Sequence, residues 1–463
     1  MKVAQNGNVS FWYAELGGPP KPRAPLPGDR EVDVCIIGAG FTGLWTAWYL
    51  KQADPDVSVA VVEREFAGFG ASGRNGGFLT GAFPWARDRY LQHGHTREGV
   101  IALERTLRGT VDEVIAVADA QGIDAGIHRT DELFVACTQS QLARIKADHA
   151  NAMRWQVPPE RLTLIGAREV ADRVRVHNAL GAMAIHGVAR VQPAKLVRGL
   201  ADAVERAGVA IYEKTTVQRY AKGRVDTDRG TIRASRIIRA TEGYTAGFPG
   251  ESRTWLAMNS AQIVTEPVPE AIWDQIGWRN GELLADAAHT ICYAQRTADN
   301  RIAMGGRGVP YRFGNATDKA GETQETTVRS LHAILHRLLP QAARLKLDHA
   351  WCGVMGVPRD WCASVGFDPA TGIGHAGGYV GVGVSTSNLA GQTLADLALG
   401  RKTELTGLPW VNHTVRKWEP EPLRWLGVQG MYGLYSIADR IEARGQTADT
   451  SRLAQLANLL TGR

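Results

Sequence analysis

Val32-Asp-Val-Cys-Ile-Ile-Gly-Ala-Gly-Phe-Thr-Gly43 and the later Val59-Ala-Val-Val-Glu63 decide how this chain folds. A β-branched run ends in Gly38-x-Gly40-x-x-Gly43, a helical segment from Leu44 to Gln52 follows, and a second apolar strand closes on an acid. Strand, glycine turn, helix, strand and acid in that order predict a β-α-β dinucleotide-binding unit. Gly38 permits the tight turn, Gly40 lets the backbone approach a pyrophosphate, and Gly43 lets helix and strand pack closely. Phe41 and Thr42, between the glycines, are expected against the cofactor, and the helix that follows points its free N–H groups at the phosphates. Glu63, with Arg64 beside it, is placed to accept hydrogen bonds from the ribose hydroxyls of an adenosine.

This unit alone does not separate NAD from FAD, but the next residues do. Gly68-Phe-Gly70-Ala-Ser-Gly73-Arg74-Asn75-Gly76-Gly77 puts five glycines into ten positions directly after the acidic strand. A plain surface loop is one reading. A NAD-binding domain has no need of a second glycine-rich segment here. A flavoprotein does, because the chain must cross closely over the pyrophosphate and reach the isoalloxazine ring. Gly70, Ala71, Ser72, Arg74, Asn75, Gly76 and Gly77 are therefore expected against the cofactor.

These motifs together resemble the glycine oxidase/D-amino acid oxidase (DAO) family of FAD-dependent amine oxidoreductases, and within it the γ-glutamylputrescine oxidase-like branch. The likeness runs from Phe11-Trp-Tyr13 to about Arg444. Val191 to Leu200 with Gly208 to Val217 resembles the helix and strand returning to the adenine side, and Arg236 to Thr245 the strand re-entering the FAD domain. Arg296 to Gly306 resembles the substrate-domain strand facing the flavin, and Gly374 to Gly383 the C-terminal flavin loop. The resemblance implies an α/β fold of the glutathione reductase/DAO type, a Rossmann-like FAD-binding domain interleaved with a mixed α+β substrate domain. It further implies cofactor contacts at Val217, Ala240, Thr241, Gly378, Tyr379, Gly381, Gly383 and Val384.

The implied reaction removes hydride from a C–H bond next to an amine nitrogen to flavin N5. The imine then hydrolyses, and oxygen reoxidises the flavin with release of hydrogen peroxide. The flavin carries this chemistry, so no protein nucleophile is required. His375 and Tyr379, in the flavin loop, are the candidates for a role near the ring. Thr386 or Ser387 is expected to cap a helix from Asn388 to Leu399, closed by Gly400, whose N-terminus stabilises negative charge on the reduced flavin.

Departures from the family narrow the substrate. Sarcosine-oxidase-like members clamp a substrate carboxylate with an arginine and a lysine at positions that here fall on Gly77 and Ser385. A longer amine is therefore expected rather than a simple N-methyl amino acid. Arg307, on the Gly305-Gly-Arg-Gly308 turn, is the candidate anchor for its polar group, with Arg301 second. The same members carry an oxygen-activating lysine on a strand that here reads Ile302-Ala-Met304, so amine oxidation is more firmly implied than use of oxygen. Some relatives tether FAD through a cysteine seven positions before an aspartate. Counting back from Asp360 reaches Gly353, with Cys352 one step out of register and facing the opposite side, so non-covalent FAD is expected.

A chain of 463 residues exceeds one core. The expected division is a Pro-rich leader packed across the surface (1–30), an FAD domain from three segments (31–82, 187–245, 346–400), a substrate domain from two (83–186, 246–345), and a helical tail (401–463) with an amphipathic helix from Tyr432 to Arg444. Five cysteines without a CxxC pair read as reduced thiols in the cytoplasm, and no metal site is expected. There is no secretory signal and no apolar run long enough to span a membrane. The net charge of +6 comes from dispersed arginines, which reads as a solvated surface rather than a nucleic-acid footprint.

Three functions follow from these readings: an FAD amine oxidase using molecular oxygen, an FAD amine dehydrogenase passing electrons to a carrier, and, from another class, a flavin-containing tRNA-associated protein. The first is favoured. The amine and the oligomeric state are not legible.

Overall fold

The structure, a computed structural model, describes residues 3–91, 94–306, 311–444 and positions 450, 451, 453, 454 and 457. Val34, Cys35, Ile36 and Ile37 at the end of strand Arg30–Ile37 are all buried, as a strand covered on both faces requires. This strand pairs in parallel with Val59–Val62 on one side and Gly230–Arg239 on the other. Ala210–Tyr212 and Ile373–Gly377 extend the parallel core, and Ser364–Asp368 closes one edge antiparallel. The strands Val217–Ala221 and Arg224–Thr227 complete an eight-stranded sheet.

Helix Phe41–Ala53 covers this sheet, and helix Gly383–Ala398 packs upon it. A Cβ on Gly391 would stand 2.6 Å from Trp45 Cβ, so glycine sets how closely the two helices approach. Gly43 acts likewise inside the turn, where a Cβ would strike the carbonyl of Gly38.

A ten-stranded mixed sheet forms the other half. Its order is Gln5–Asn6, Leu347–Val357, Leu256–Thr265, Ile302–Gly306, Cys292–Arg296, Leu283–Asp286, His128–Ala136, Gly181–Arg190 and Phe78–Leu79, with Leu162–Gly166 also paired to Gly181–Arg190. Helix Glu325–Leu338 buries Val328, Leu331, Leu335 and Leu338 in the core behind it. The chain thus passes repeatedly between two sheets, as the resemblance implies.

Three strands depart from the expected segments, one of them Phe78–Leu79, which pairs with Gly181–Arg190. Leu347–Val357 pairs along its length with Leu256–Thr265, and Gly181–Arg190 pairs with His128–Ala136, so both lie in the second sheet. An apolar strand reads the same in either sheet, because the pairing partner is set by distant residues.

Within the leader one short stretch is buried. Phe11–Ala14 is a buried helical turn, with Trp12 and Tyr13 each 1% exposed. Trp12 Nε1 donates to the carbonyl of Asn75 at 2.8 Å, and Ser10 Oγ to that of Gly73 at 2.8 Å. The leader therefore fastens the second glycine loop from behind. Trp12 meets Trp351 of the second sheet edge-on, with ring centroids 5.9 Å apart.

At the other end, the helix spans Leu423–Arg444 and begins nine positions before the amphipathic pattern does, because Gly427 and Gly430 interrupt the apolar spacing. Glu442 ties it to the second half through Arg144 (2.7 Å) and His289 (2.9 Å). Among the described residues no helix is long and apolar enough to cross a membrane.

Candidate functional site

A cavity of about 1120 Å³ is lined by residues from both sheets. On the dinucleotide side its wall includes Gly38, Gly40, Phe41, Thr42, Glu63, Arg64, Val217, Ala240 and Thr241. Gly38 has φ +103, and a Cβ there would lie 2.7 Å from the carbonyl oxygen of Ala240. Glu63 is held by backbone N–H groups: Ala39 donates to Oε2 at 3.0 Å and Glu65 to Oε1 at 2.9 Å. Burial raises its pKa and those two bonds oppose the rise, which fixes the carboxylate at the end of its strand.

The first helix has Gly40 as its N-cap, with no side chain capping it from that position. Ser72 reaches across from the second glycine loop instead, and Phe41 N–H donates to its Oγ at 2.8 Å. A Cβ on Gly40 would stand 2.9 Å from that oxygen. The two glycine segments thus close into one cradle with Ser72 Oγ at the helix start, a shape suited to a pyrophosphate.

Gly70, Ala71, Ser72, Arg74, Asn75 and Gly76 all line the cavity. Asn75 braces the loop, accepting from Gly77 N–H and donating to the carbonyl of Ser72, both at 2.8 Å. The bonds of the Arg74 guanidinium run to the protein: Asp318 at 2.8 Å and the carbonyls of Phe69 and Cys352 at 2.6 and 3.2 Å. Gly77 lies off the wall, at φ +71, where a Cβ would strike the carbonyl of Val191. Ser385 donates to the carbonyl of Thr80 at 2.5 Å.

Tyr379, Gly381, Gly383 and Val384 line the opposite side. The helix starts at Gly383, so Thr386 and Ser387 sit inside it and do not cap it. Thr386 Oγ1 donates back to the carbonyl of Val382 at 2.9 Å, which is how a hydroxyl inside a helix satisfies itself. With Val382 as an N-cap lacking a side-chain bond, the first-turn N–H groups stay available. Gly378 lies off the wall, its N–H donating to Glu242 Oε1 at 3.0 Å.

His375 is not in the loop. It belongs to strand Ile373–Gly377 and packs near Trp255, off the cavity wall. Burial, reinforced by Arg239, pushes it down to about 4. Arg301 is also displaced from its expected role: it is held by Asp299 and Asp348, each at 2.5 Å, above the Phe11 ring and away from the cavity. His375 was misplaced because sequence does not show which side of a strand end faces the site. Arg307 lies outside the described residues. Cys352 is buried with Sγ donating to the carbonyl of Glu322 at 3.3 Å, while Gly353 faces the cavity.

Sequence reasoning missed several wall residues. Glu242, at φ +43, accepts from the N–H groups of Gly356 and Gly378, tying the flavin-loop segment to the second sheet; burial pushes it up to about 7. It follows Thr241 within a quoted motif, so its place was legible though its role was not. Tyr293 fills the space that Gly76 and Gly305 leave open. Glu132 projects from strand His128–Ala136 and is 5% exposed. Further along the wall stand Arg87, Arg108 and Arg161, with Arg87 forked onto Glu104 at 2.9 and 2.8 Å. Burial, then repulsion from Arg161 and Arg87, lowers the pKa of Arg108 against the pull of Glu104.

The family of FAD-dependent oxidoreductases (DAO) matches residues 33–397. A probable oxidoreductase, OrdL, of Rhizobium meliloti is 30% identical over 85% of this chain and 89% of its own length. The γ-glutamylputrescine oxidoreductase of Escherichia coli is 29% identical over the same shares. In fold, the chain is similar to glycine oxidase from Geobacillus kaustophilus, with a TM-score of 0.69 and 22% identity over 83% of this chain and all of the other.

Proposed function

Because the chain belongs to the family of FAD-dependent oxidoreductases (DAO), we propose that it oxidises the C–N bond of a primary or secondary amine. The observation that carries this reading is the single cavity wall joining a pyrophosphate cradle to an apolar chamber on the second sheet. FAD, when bound, accepts hydride from the carbon next to nitrogen. Glu63 would hold the ribose, the N–H groups above Gly40 the pyrophosphate, and the turn at Gly381 to Gly383 the flavin's polar edge. Phe78, Phe134, Met183 and Tyr293 line the chamber and keep water from the reacting carbon. The relatives' names support the substrate class: one acts on γ-glutamylputrescine and another, 25% identical, on glycine.

A longer amine fits this chamber better than a simple N-methyl amino acid. Gly77 and Ser385 supply no charge near the flavin loop, whereas Arg108 and Arg161 line the wall farther out, suited to a distal carboxylate or amide. The dehydrogenase alternative keeps one supporting observation. No lysine stands among the described wall residues, and Ile302 and Met304 turn into the core behind the sheet. Free cysteines suit a cytoplasmic setting.

A screen of polyamines, acylated diamines, amino acids and aminophosphonates, reading peroxide and dye reduction in parallel, tests the proposal. Turnover of an amine with a distal acid is expected. Turnover only of α-amino acids would overturn the longer-amine reading, and dye reduction without peroxide would select the dehydrogenase.

A further inference from the structure

Three acids on the cavity wall are almost wholly buried: Glu104, Glu132 and Asp286. Two are neutralised by the protein. Glu104 holds Arg87, and Asp286 accepts from Cys292 N–H at 3.0 Å and from Arg337 at 3.1 Å. Among the described residues Glu132 has neither a cation nor a backbone donor, and its Oε2 is buried without a hydrogen-bond partner. Isolating a carboxylate in this way costs several kcal/mol in its charged form, so the arrangement persists only if something offsets it.

Among the described residues the surroundings supply no counter-ion. By strand register Glu132 lies opposite Ile185 on one side and Leu283 on the other. Charges on neighbouring elements are engaged elsewhere: His186 with Asp131 at 2.9 Å, Arg190 with the carbonyl of Arg296 at 2.7 Å, and Asp286 with Arg337; Arg108 stands at Glu104, 3.4 Å away. The nearby Thr80 hydroxyl only opposes the rise in its pKa, and Thr80 Oγ1 is itself buried without a hydrogen-bond partner. Thr80 also places it, because the Thr80 carbonyl receives Ser385 from the first turn of helix Gly383–Ala398, where the flavin's edge is proposed to lie. Phe134, two residues on, and Tyr293 give the same chamber its apolar wall.

We propose that Glu132 is the substrate's counter-ion, a carboxylate on the cavity wall that receives the ammonium group of the incoming amine and takes up its proton. The step balances within the pair. An N–H bond of the ammonium breaks, the proton passes to a Glu132 oxygen, and the electron pair stays on nitrogen, leaving the neutral amine that loss of hydride requires. Burial pushes the Glu132 carboxyl up to about 7, which suits a proton acceptor at neutral pH. This inference rests on the amine reading of the site and adds a residue to it.

The test uses the FAD-loaded protein and 2-methylhexan-2-amine, an amine with no hydrogen on the carbon bearing nitrogen, beside its neutral counterpart 2-methylhexan-2-ol. Binding is followed by the perturbation of the flavin spectrum and by calorimetry, so turnover is not involved. Wild type should prefer the amine, and Glu132→Gln should weaken amine binding by about ten- to a hundredfold while leaving alcohol binding unchanged. Glu132→Asp should recover part of the loss. Flavin content and thermal midpoint identify a variant that fails to fold; wild type's preference for amine over alcohol then decides alone.

Equal binding of amine and alcohol by wild type would overturn the proposal, as would amine binding unaffected in a folded Glu132→Gln. If some amine still bleached the flavin in that case, the amine reading would survive without Glu132. If no amine bleached the flavin while the ammonium preference depended on Glu132, the cation site would stand and the amine reading would fall.

Discussion

The hydroxyl of Tyr379 lies 2.8 Å from Thr42 Oγ1, joining the start of the first helix to the loop before the last helix of the cofactor half. The two residues are 337 positions apart in sequence. Both stand on the cavity wall, so this bond sets the spacing between the pyrophosphate cradle and the flavin loop. Tyr379→Phe keeps the ring and removes the bond, at a cost of about 1–2 kcal/mol because Thr42 loses its buried partner. Flavin affinity, measured by fluorescence titration of the apoprotein, should fall by roughly five- to thirtyfold. Unchanged affinity would mean that the bond does not set this spacing.

Gly40 tests the cradle itself. A Cβ there already meets Ser72 Oγ at 2.9 Å, and the two methyls of valine extend farther into the same space. Gly40→Val should purify colourless yet folded, with circular dichroism close to wild type. Full FAD occupancy in this variant would refute the placement of the pyrophosphate.

How much of this was readable in advance depended on distance along the chain. Gly38, Gly40, Gly43 and Glu63 were legible because a turn, a helix start and a strand end are local, and their glycines answer to contacts within one β-α-β unit. The second glycine loop was legible for the same reason. Glu132 was not, because in Thr130-Asp-Glu-Leu-Phe134 nothing tells which of two adjacent acids turns inward. In the structure Asp131 takes His186 and Arg173, and Glu132 takes the cavity wall. Arg301 was misread because Asp348, its partner, lies on a distant strand. Thr386 and Ser387 have good cap chemistry, but the helix begins earlier, at Gly383, under the packing of Gly391 on Trp45.

The attachment of the flavin follows from the same register logic. Cys352 points into the core and Gly353 into the cavity, so no thiol stands on the described wall. After acid precipitation the supernatant should be yellow and the pellet white. A yellow pellet would show a covalent tether that this side-chain orientation does not provide.

Stability should carry the mark of two protonated carboxyls. Burial, the largest cause in each case, pushes Glu132 and Glu242 from 4.5 up to about 7. The folded chain then binds protons that the unfolded chain releases, so their contribution is fully present below about pH 4.5 and is lost as pH rises through about 7. Urea unfolding across that window should show stability from these groups declining with pH, and Glu132→Gln should make the decline shallower. A steeper decline in that variant would contradict the shift.

The central claim, that this chain oxidises amines with FAD, is tested most directly by adding the best amine of the screen to the FAD-loaded protein without oxygen. The flavin's yellow absorbance should bleach with one equivalent of amine, and one equivalent of carbonyl product should appear after imine hydrolysis. A flavin that stays oxidised with every amine, yet bleaches with a nicotinamide dinucleotide or a hydroxy acid, would contradict it.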